Sequence, residues 1–97
     1  MKGINVHKLN KDFESRVRLG ILSILMVNDW VNFKEMKEWL DLTDGNLASH
    51  ITALEKSHYI EIRKAFVGKK PETSYRLTAL GKIEFKNHIK ALSELLK

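Results

Sequence analysis

Apolar positions fall into two rhythms along this chain, and the change between them divides it. Over residues 10–56 they recur at three- and four-residue intervals, which predicts helices. Asn10 precedes the first, with Asp12 and Glu14 in its opening turn, where a cap and negative charge both help. That helix is expected to run to about Val27. Its Val17, Leu19, Ile21, Leu22, Ile24, Leu25 and Met26 lie on more than one side, so it is either central to a core or shared with a partner chain. Asn28-Asp29 breaks the pattern, and Trp30-Val31 suits a brief strand. Asn32, with Glu35 three residues on, resembles a capping box. It opens a second helix with Phe33, Met36 and Leu40 on one face and Lys34, Lys37 and Glu38 outward. Thr43 is a suitable cap for a third helix reaching Lys56, in which Leu47, Ile51 and Leu54 fall within about 60° of one another. Two short helices joined by a tight turn are the helix-turn-helix pattern.

Past Tyr59 the period drops to two. Ile60, Ile62 and then Phe66 alternate with Glu61 and Arg63, which reads as a strand. Residues 67–72 supply turn chemistry in Gly68 and Pro71, and residues 73–77 return as a second strand with Tyr75 and Leu77 on one side. Thr78 caps a last helix from Ala79 to about Leu96. The expected fold class is mainly α with a small β-hairpin, a winged helix-turn-helix in the order helix, helix, helix, wing, helix. Residues 1–97 are expected to form one domain, with 1–8 flexible and 79–96 a dimerisation helix.

The outer side of the third helix raises a question. Opposite its apolar stripe stand Gly45, Ser49, Thr52, Ala53 and Lys56, with Asn46 and His50 at the flanks. A chain with 30% charged residues should place Lys and Glu on a solvated face. A helix that enters the DNA major groove, about 12 Å wide, has reason to keep that side small. Short Asn, Ser and Thr side chains then reach base edges or phosphates. Gly45 costs up to ~1 kcal/mol relative to Ala within a helix, which suggests close backbone approach to phosphate or to the second helix. Asp44 favours the helix dipole at that end.

Charge supports the same reading. The net charge is +5, yet residues 1–55 hold seven Lys/Arg against eight Asp/Glu, and residues 56–97 ten against four. The segment from Arg63 to Arg76 carries Arg63, Lys64, Lys69, Lys70 and Arg76 against the single acid Glu72. Cations on a projecting tip suit phosphate or minor-groove contact, which supplies affinity and little sequence information. The residues expected to contact DNA are Thr43, Gly45, Asn46, Ser49, His50, Thr52, Lys56, Lys64, Lys69, Lys70 and Arg76, and the expected partner is double-stranded DNA. In the last helix Phe85, Ile89, Leu92 and Leu96 follow coiled-coil spacing, an expected homodimer interface together with the first helix.

Other chemistry finds little material. The chain has no cysteine, hence no disulfide framework and no thiolate site, and histidines 7, 50, 58 and 88 lack metal-ligand spacing. No Gly-rich phosphate loop, nucleophile elbow or carboxylate pair appears, so neither an enzyme nor a cofactor or metal is expected. Trp30 and Trp39 read as core. The longest apolar segment, Val17 to Val27, is interrupted and far short of the ~20 residues a membrane span needs, and no signal-peptide run opens the chain. A soluble cytoplasmic protein is expected. The competing function class is a winged helix used for protein–protein assembly, with a merely solubilising tip.

The run "LDLTDGNLASHITALEKSHYIEI…YRLTALG" resembles winged helix-turn-helix transcriptional regulators of the MarR/ArsR type. It looks closest to a small single-domain winged helix DNA-binding group opening with a stretch like "DFESRVRLGILSILMVN". The resemblance extends from about Leu9 to Leu96 and rests on Thr43, on "LASHITALE" at 47–55 and on "YRLTALG" at 75–81. It implies a dimer with the third helix in the major groove and the wing on the backbone. Many such regulators carry Arg on the recognition helix, where this chain has Asp44, Ser49, Thr52 and Ala53. The metal-sensing branch uses cysteine ligands that are absent here, and no effector pocket is assigned.

Overall fold

A computed structural model describes residues 6–96. Of the segment expected to be flexible, residues 1–5 lie outside the described residues, and Val6–Lys8 form a 3-10 turn. Asn10 is a cap, its side chain accepting from the Asp12 N–H at 2.9 Å, but it caps only a second 3-10 turn, Lys11–Phe13. The chain turns at Glu14, and Ser15 caps the true first helix, α1 (Arg16–Val27). The shorter helix has a physical reason. The break lets Phe13 leave the helical path and fill the core at 0% exposure, against the rings of Tyr59, Phe85 and His88.

The helix-turn-helix follows from three caps. After strand β1 (Val31–Asn32), the Asn32 side chain accepts from the Glu35 N–H at 2.8 Å and opens α2 (Phe33–Leu40). Asp41 adopts left-handed backbone at φ 53° and ends it. Thr43 then accepts from the Asn46 N–H at 3.2 Å and starts α3 (Asp44–Lys56). His58, left-handed at φ 64°, turns the chain into strand β2 (Ile60–Val67).

Strand β3 (Lys70–Leu77) pairs antiparallel with β2 along its whole length, and β1 pairs with β3 only at Tyr75 and Ser74. The sheet order is β1-β3-β2. The hairpin turn is tighter than the expected span of 67–72. Val67 pairs with Lys70, leaving Gly68 at φ 66° and Lys69 as the two loop residues. Pro71 therefore stands inside β3. It is tolerated because β1 does not reach that far, so β3 is an edge strand there.

Thr78 caps α4 (Ala79–Glu94), its hydroxyl accepting from the Gly81 N–H and donating to the His58 carbonyl. Gly81 explains the end of the "YRLTALG" stretch: a Cβ there would stand 2.1 Å from the Tyr59 carbonyl oxygen. The helix must pass that close because the Tyr59 carbonyl also accepts from the Thr78 N–H.

One core joins these elements. Ile21, Leu22 and Leu25 of α1 meet Met36 of α2, Leu47, Ile51 and Leu54 of α3, Tyr75 and Leu77 of β3 and Phe85 of α4. Val17, Leu19, Ile24 and Met26 pack partly buried against that cluster, while Val27 at the end of α1 is 81% exposed. Trp39 departs from expectation at 53% exposure, because it falls on the outer side of α2. Trp30 is half-buried on the outer face of the sheet, away from the core.

Candidate nucleic-acid interface

Burial of Leu47, Ile51 and Leu54 fixes the rotation of α3 and turns its other side outward. Thr43, Asp44, Gly45, Asn46, Ala48, Ser49, Thr52, Glu55 and Lys56 are all exposed. The leading turn thus presents the small neutral side chains of Gly45 and Asn46 beside the carboxylate of Asp44. Gly45 has open space where a Cβ would go, so close approach of α2, one of the two reasons considered for it, is excluded. Asp44 has a partner beyond the helix dipole: its carboxylate lies 2.8 Å from the Lys37 ammonium of α2. The pair neutralises the acid on the side a polyanion would approach, and it ties the two helices of the motif together.

His50 faces the body of the protein. Its Nδ1 accepts from the Arg18 Nε at 3.1 Å, while Arg18 Nη1 donates to the Asp12 carbonyl at 2.9 Å. Burial, and then the Arg18 charge, lower its pKa below the ordinary histidine value, so it is held neutral as an acceptor. The structure thus places His50 as a brace between α3 and α1.

The basic hairpin divides into two parts. At its base the guanidinium carbons of Arg63 and Arg76 lie 4.3 Å and 4.5 Å from the centroid of the Trp30 ring. Arg76 also donates through Nε to Glu61, its cross-strand partner, and pairs with Asp29 at 3.7 Å. Arg76, expected on the DNA, is therefore engaged at the root of the wing, some distance in sequence from its tip. Its charges are answered within the chain, and Trp30 serves as the plate they stack on. Sequence reading missed this cluster because its members come from three segments, and cross-strand register is what joins them.

At the tip, Lys64, Lys69 and Lys70 are exposed and have no ion-pair partner among the described residues. Lys56, at the end of α3, is in the same state. Beside the lysines stand Phe66 and Val67, exposed at 75% and 60%. Phe66 continues the alternation that marks β2, on the face of Ile60 and Ile62. The hairpin outruns the core, so from Arg63 to the turn β2 has no core to bury its side chains in.

The expected dimer seam is reshaped by burial. Phe85 is 4% exposed and packs on Phe13, so it belongs to the chain's own core and is closed to a second copy. Ile89 and Leu96 are exposed and Leu92 is partly exposed, leaving a narrower stripe on α4. Among the described residues no group of His, Asp and Glu is arranged to hold a metal ion, and no helix is long and apolar enough to cross a membrane.

Comparison with known proteins gives this arrangement a context. Residues 17–96 match the family described as winged helix DNA-binding domain. An uncharacterised protein of Methanocaldococcus jannaschii is 37% identical over 87 residues, covering 90% of this chain and 95% of that protein. The structure of a transcriptional regulator homologue from Pyrococcus horikoshii aligns with a TM-score of 0.78 at 29% identity, over 94% of this chain and 95% of that one. The ytfH protein of Salmonella typhimurium aligns with a TM-score of 0.70 at 25% identity, over 89% of this chain and 75% of that one.

Proposed function

Because the chain belongs to the winged helix DNA-binding domain family, we propose that it is a transcriptional regulator that binds duplex DNA without catalysing a reaction. In this reading α3 enters the major groove, where Asn46, Ser49 and Thr52 meet base edges or phosphates, and Thr43 and Gly45 lead the helix in. Lys64, Lys69 and Lys70 hold the backbone alongside. The observation that carries the reading is the division of charge: between Asp44 and Glu55 the outer side of α3 presents only small uncharged side chains, and Lys64, Lys69 and Lys70, with no ion-pair partner among the described residues, stand on the hairpin. A protein-assembly module has no reason to keep these two surfaces so different.

The remaining parts follow the same plan. A homodimer through Ile89, Leu92 and Leu96 of α4 would set two α3 helices on a pseudo-palindromic site, as the resemblance to MarR/ArsR-type regulators implies. Light scattering on the purified protein tests that part. The absence of Arg from the exposed side of α3 suggests readout by short side chains and bridging water. Cytoplasmic residence belongs to this proposal as well.

Titration into random duplex DNA across a salt series tests the core of it. Affinity should fall linearly with salt on logarithmic axes, since phosphate contacts release counterions. Lys69→Ala/Lys70→Ala should weaken all sequences alike and flatten the slope by roughly 2. Asn46→Ala or Ser49→Ala should instead alter sequence preference. No binding at low salt would sink the proposal.

A further inference from the structure

Phosphate contact accounts for the lysines of the hairpin tip, but not for its apolar residues. Phe66 is 75% exposed and Val67 60% exposed, both within two positions of the Gly68-Lys69 turn. Cross-strand, Phe66 pairs with Pro71 on the face of Lys64 and Val67 with Lys70 on the other, so each face of the tip joins an apolar side chain to a lysine. Side-chain alternation places Lys64 and Phe66 on the face that carries Ile60 and Ile62, the face toward the helices. The wing is also braced at its root, where Trp30, Arg63, Arg76, Glu61 and Asp29 lock the strands to β1. A braced arm with an aromatic ring near its end can exert force on what it meets.

The lysines select the partner. A surface that joins three unpaired cations to an exposed ring fits a polyanion with an apolar interior, and duplex DNA is such a polymer. Proteins that enter the minor groove commonly push Phe, Leu or Pro side chains between base steps, kinking the duplex. We propose that Phe66 is an apolar wedge that enters the minor groove next to phosphates held by Lys64, Lys69 and Lys70, partly unstacking one base step and bending the DNA. Pro71 stands across from the ring on the same face, and Val67 covers the opposite face of the tip. This rests on the DNA-binding reading above and adds to it a source of specificity. Pyrimidine–purine steps unstack most easily, so the wing prefers sites with such a step beneath it.

The test uses a short A·T-rich duplex with a central TpA step, labelled at both ends for energy transfer, and a matched duplex carrying 2-aminopurine at that step. The wild-type protein should raise energy transfer and 2-aminopurine fluorescence together. Phe66→Ala should bind roughly tenfold more weakly and lose both signals, with an unchanged salt slope because no phosphate contact is removed. Phe66→Leu should retain part of each. Thermal melting should be the same for all three, since the side chain lies outside the core.

Equal affinity and equal bending for wild type and Phe66→Ala would overturn the wedge. So would a Phe66→Ala protein that keeps its DNA affinity and bending but loses self-association or binding to phosphatidylglycerol vesicles. A wild-type protein that binds the duplex and leaves it straight overturns the wedge alone. A wild-type protein that binds no duplex at low salt overturns the wedge and the DNA-binding reading together.

Discussion

Gly45→Ala separates two reasons for a glycine in the first turn of a recognition helix. A Cβ at this position meets no atom within 4 Å, and the residue is not in left-handed backbone, so the fold itself gives no objection to alanine. Alanine is better than glycine by up to ~1 kcal/mol within a helix, and the gain shrinks near a terminus. About 0.5 kcal/mol is the reasonable figure for the position two residues after the Thr43 cap. In a domain of this size that raises the melting temperature by roughly 2–4 °C.

Binding should move the other way. In the proposed complex the outer turn of α3 is where the backbone comes nearest the DNA, and an added methyl at a packed contact costs roughly 1–3 kcal/mol. That corresponds to about a five- to hundredfold loss of affinity. Circular dichroism melting gives the first number and fluorescence anisotropy on duplex DNA the second. A variant that is more stable and binds as well as wild type would refute close approach at Gly45. A variant that melts lower would refute the open space around it.

Gly81→Ala should behave in the opposite sense. Its Cβ would fall 2.1 Å from the Tyr59 oxygen and 2.9 Å from the Tyr59 carbonyl carbon, so backbone must shift, and a loss of roughly 2–3 kcal/mol should lower the melting temperature by about 10 °C or more. Acid should destabilise the protein through His88. This residue is 2% exposed, its Nδ1 accepts from the Asn10 N–H at 2.8 Å, and burial lowers its pKa against a smaller opposing pull from Glu14. The folded state then binds fewer protons than the unfolded one, so the contribution is full above the unfolded value of about 6.5 and is lost as pH falls through the lower folded value. His50 adds in the same direction. Chemical denaturation from pH 7.5 to 5 should show the decline, and His88→Gln, which keeps an acceptor without titrating, should flatten it.

Caps and periodicity made most of the fold legible. Asn32, Thr43 and Thr78 each cap the expected helix, accepting from the N–H three residues on, and the change of period near Tyr59 marks the passage from helix to strand. What escaped was non-local. Phe13 reads as a helical residue, and only the aromatic neighbours Tyr59 and Phe85 explain why the chain breaks to bury it. Phe85 reads as one knob of a seam for the same reason. Its spacing from Ile89 is helical either way, and the seam continues past the point where the body of the chain covers it. Trp39 reads as core because tryptophan usually is; its place on α2, one residue before Leu40, turns it outward.

The outer side of α3 and the hairpin tip each depart from a local rule in a way that burial within the chain does not explain, as do the exposed Val27, Ile83 and Leu96. The middle of α3 presents Gly45, Asn46, Ala48, Ser49 and Thr52 to solvent, with charge kept to Asp44, Glu55 and Lys56 at its ends, and the hairpin tip exposes Phe66 and Val67. Each is locally unfavourable: Gly45 weakens its helix, and Phe66 leaves an aromatic ring in water. Charges elsewhere find internal partners, as when Lys37 answers Asp44 and Glu61 answers Arg76. In the DNA-binding proposal, the compensating contact for both comes from outside the chain. A single partner that is anionic on its surface, grooved, and apolar between its layers meets both demands. α3 and the wing are therefore better treated as one interface than as a reading helix with a passive electrostatic anchor.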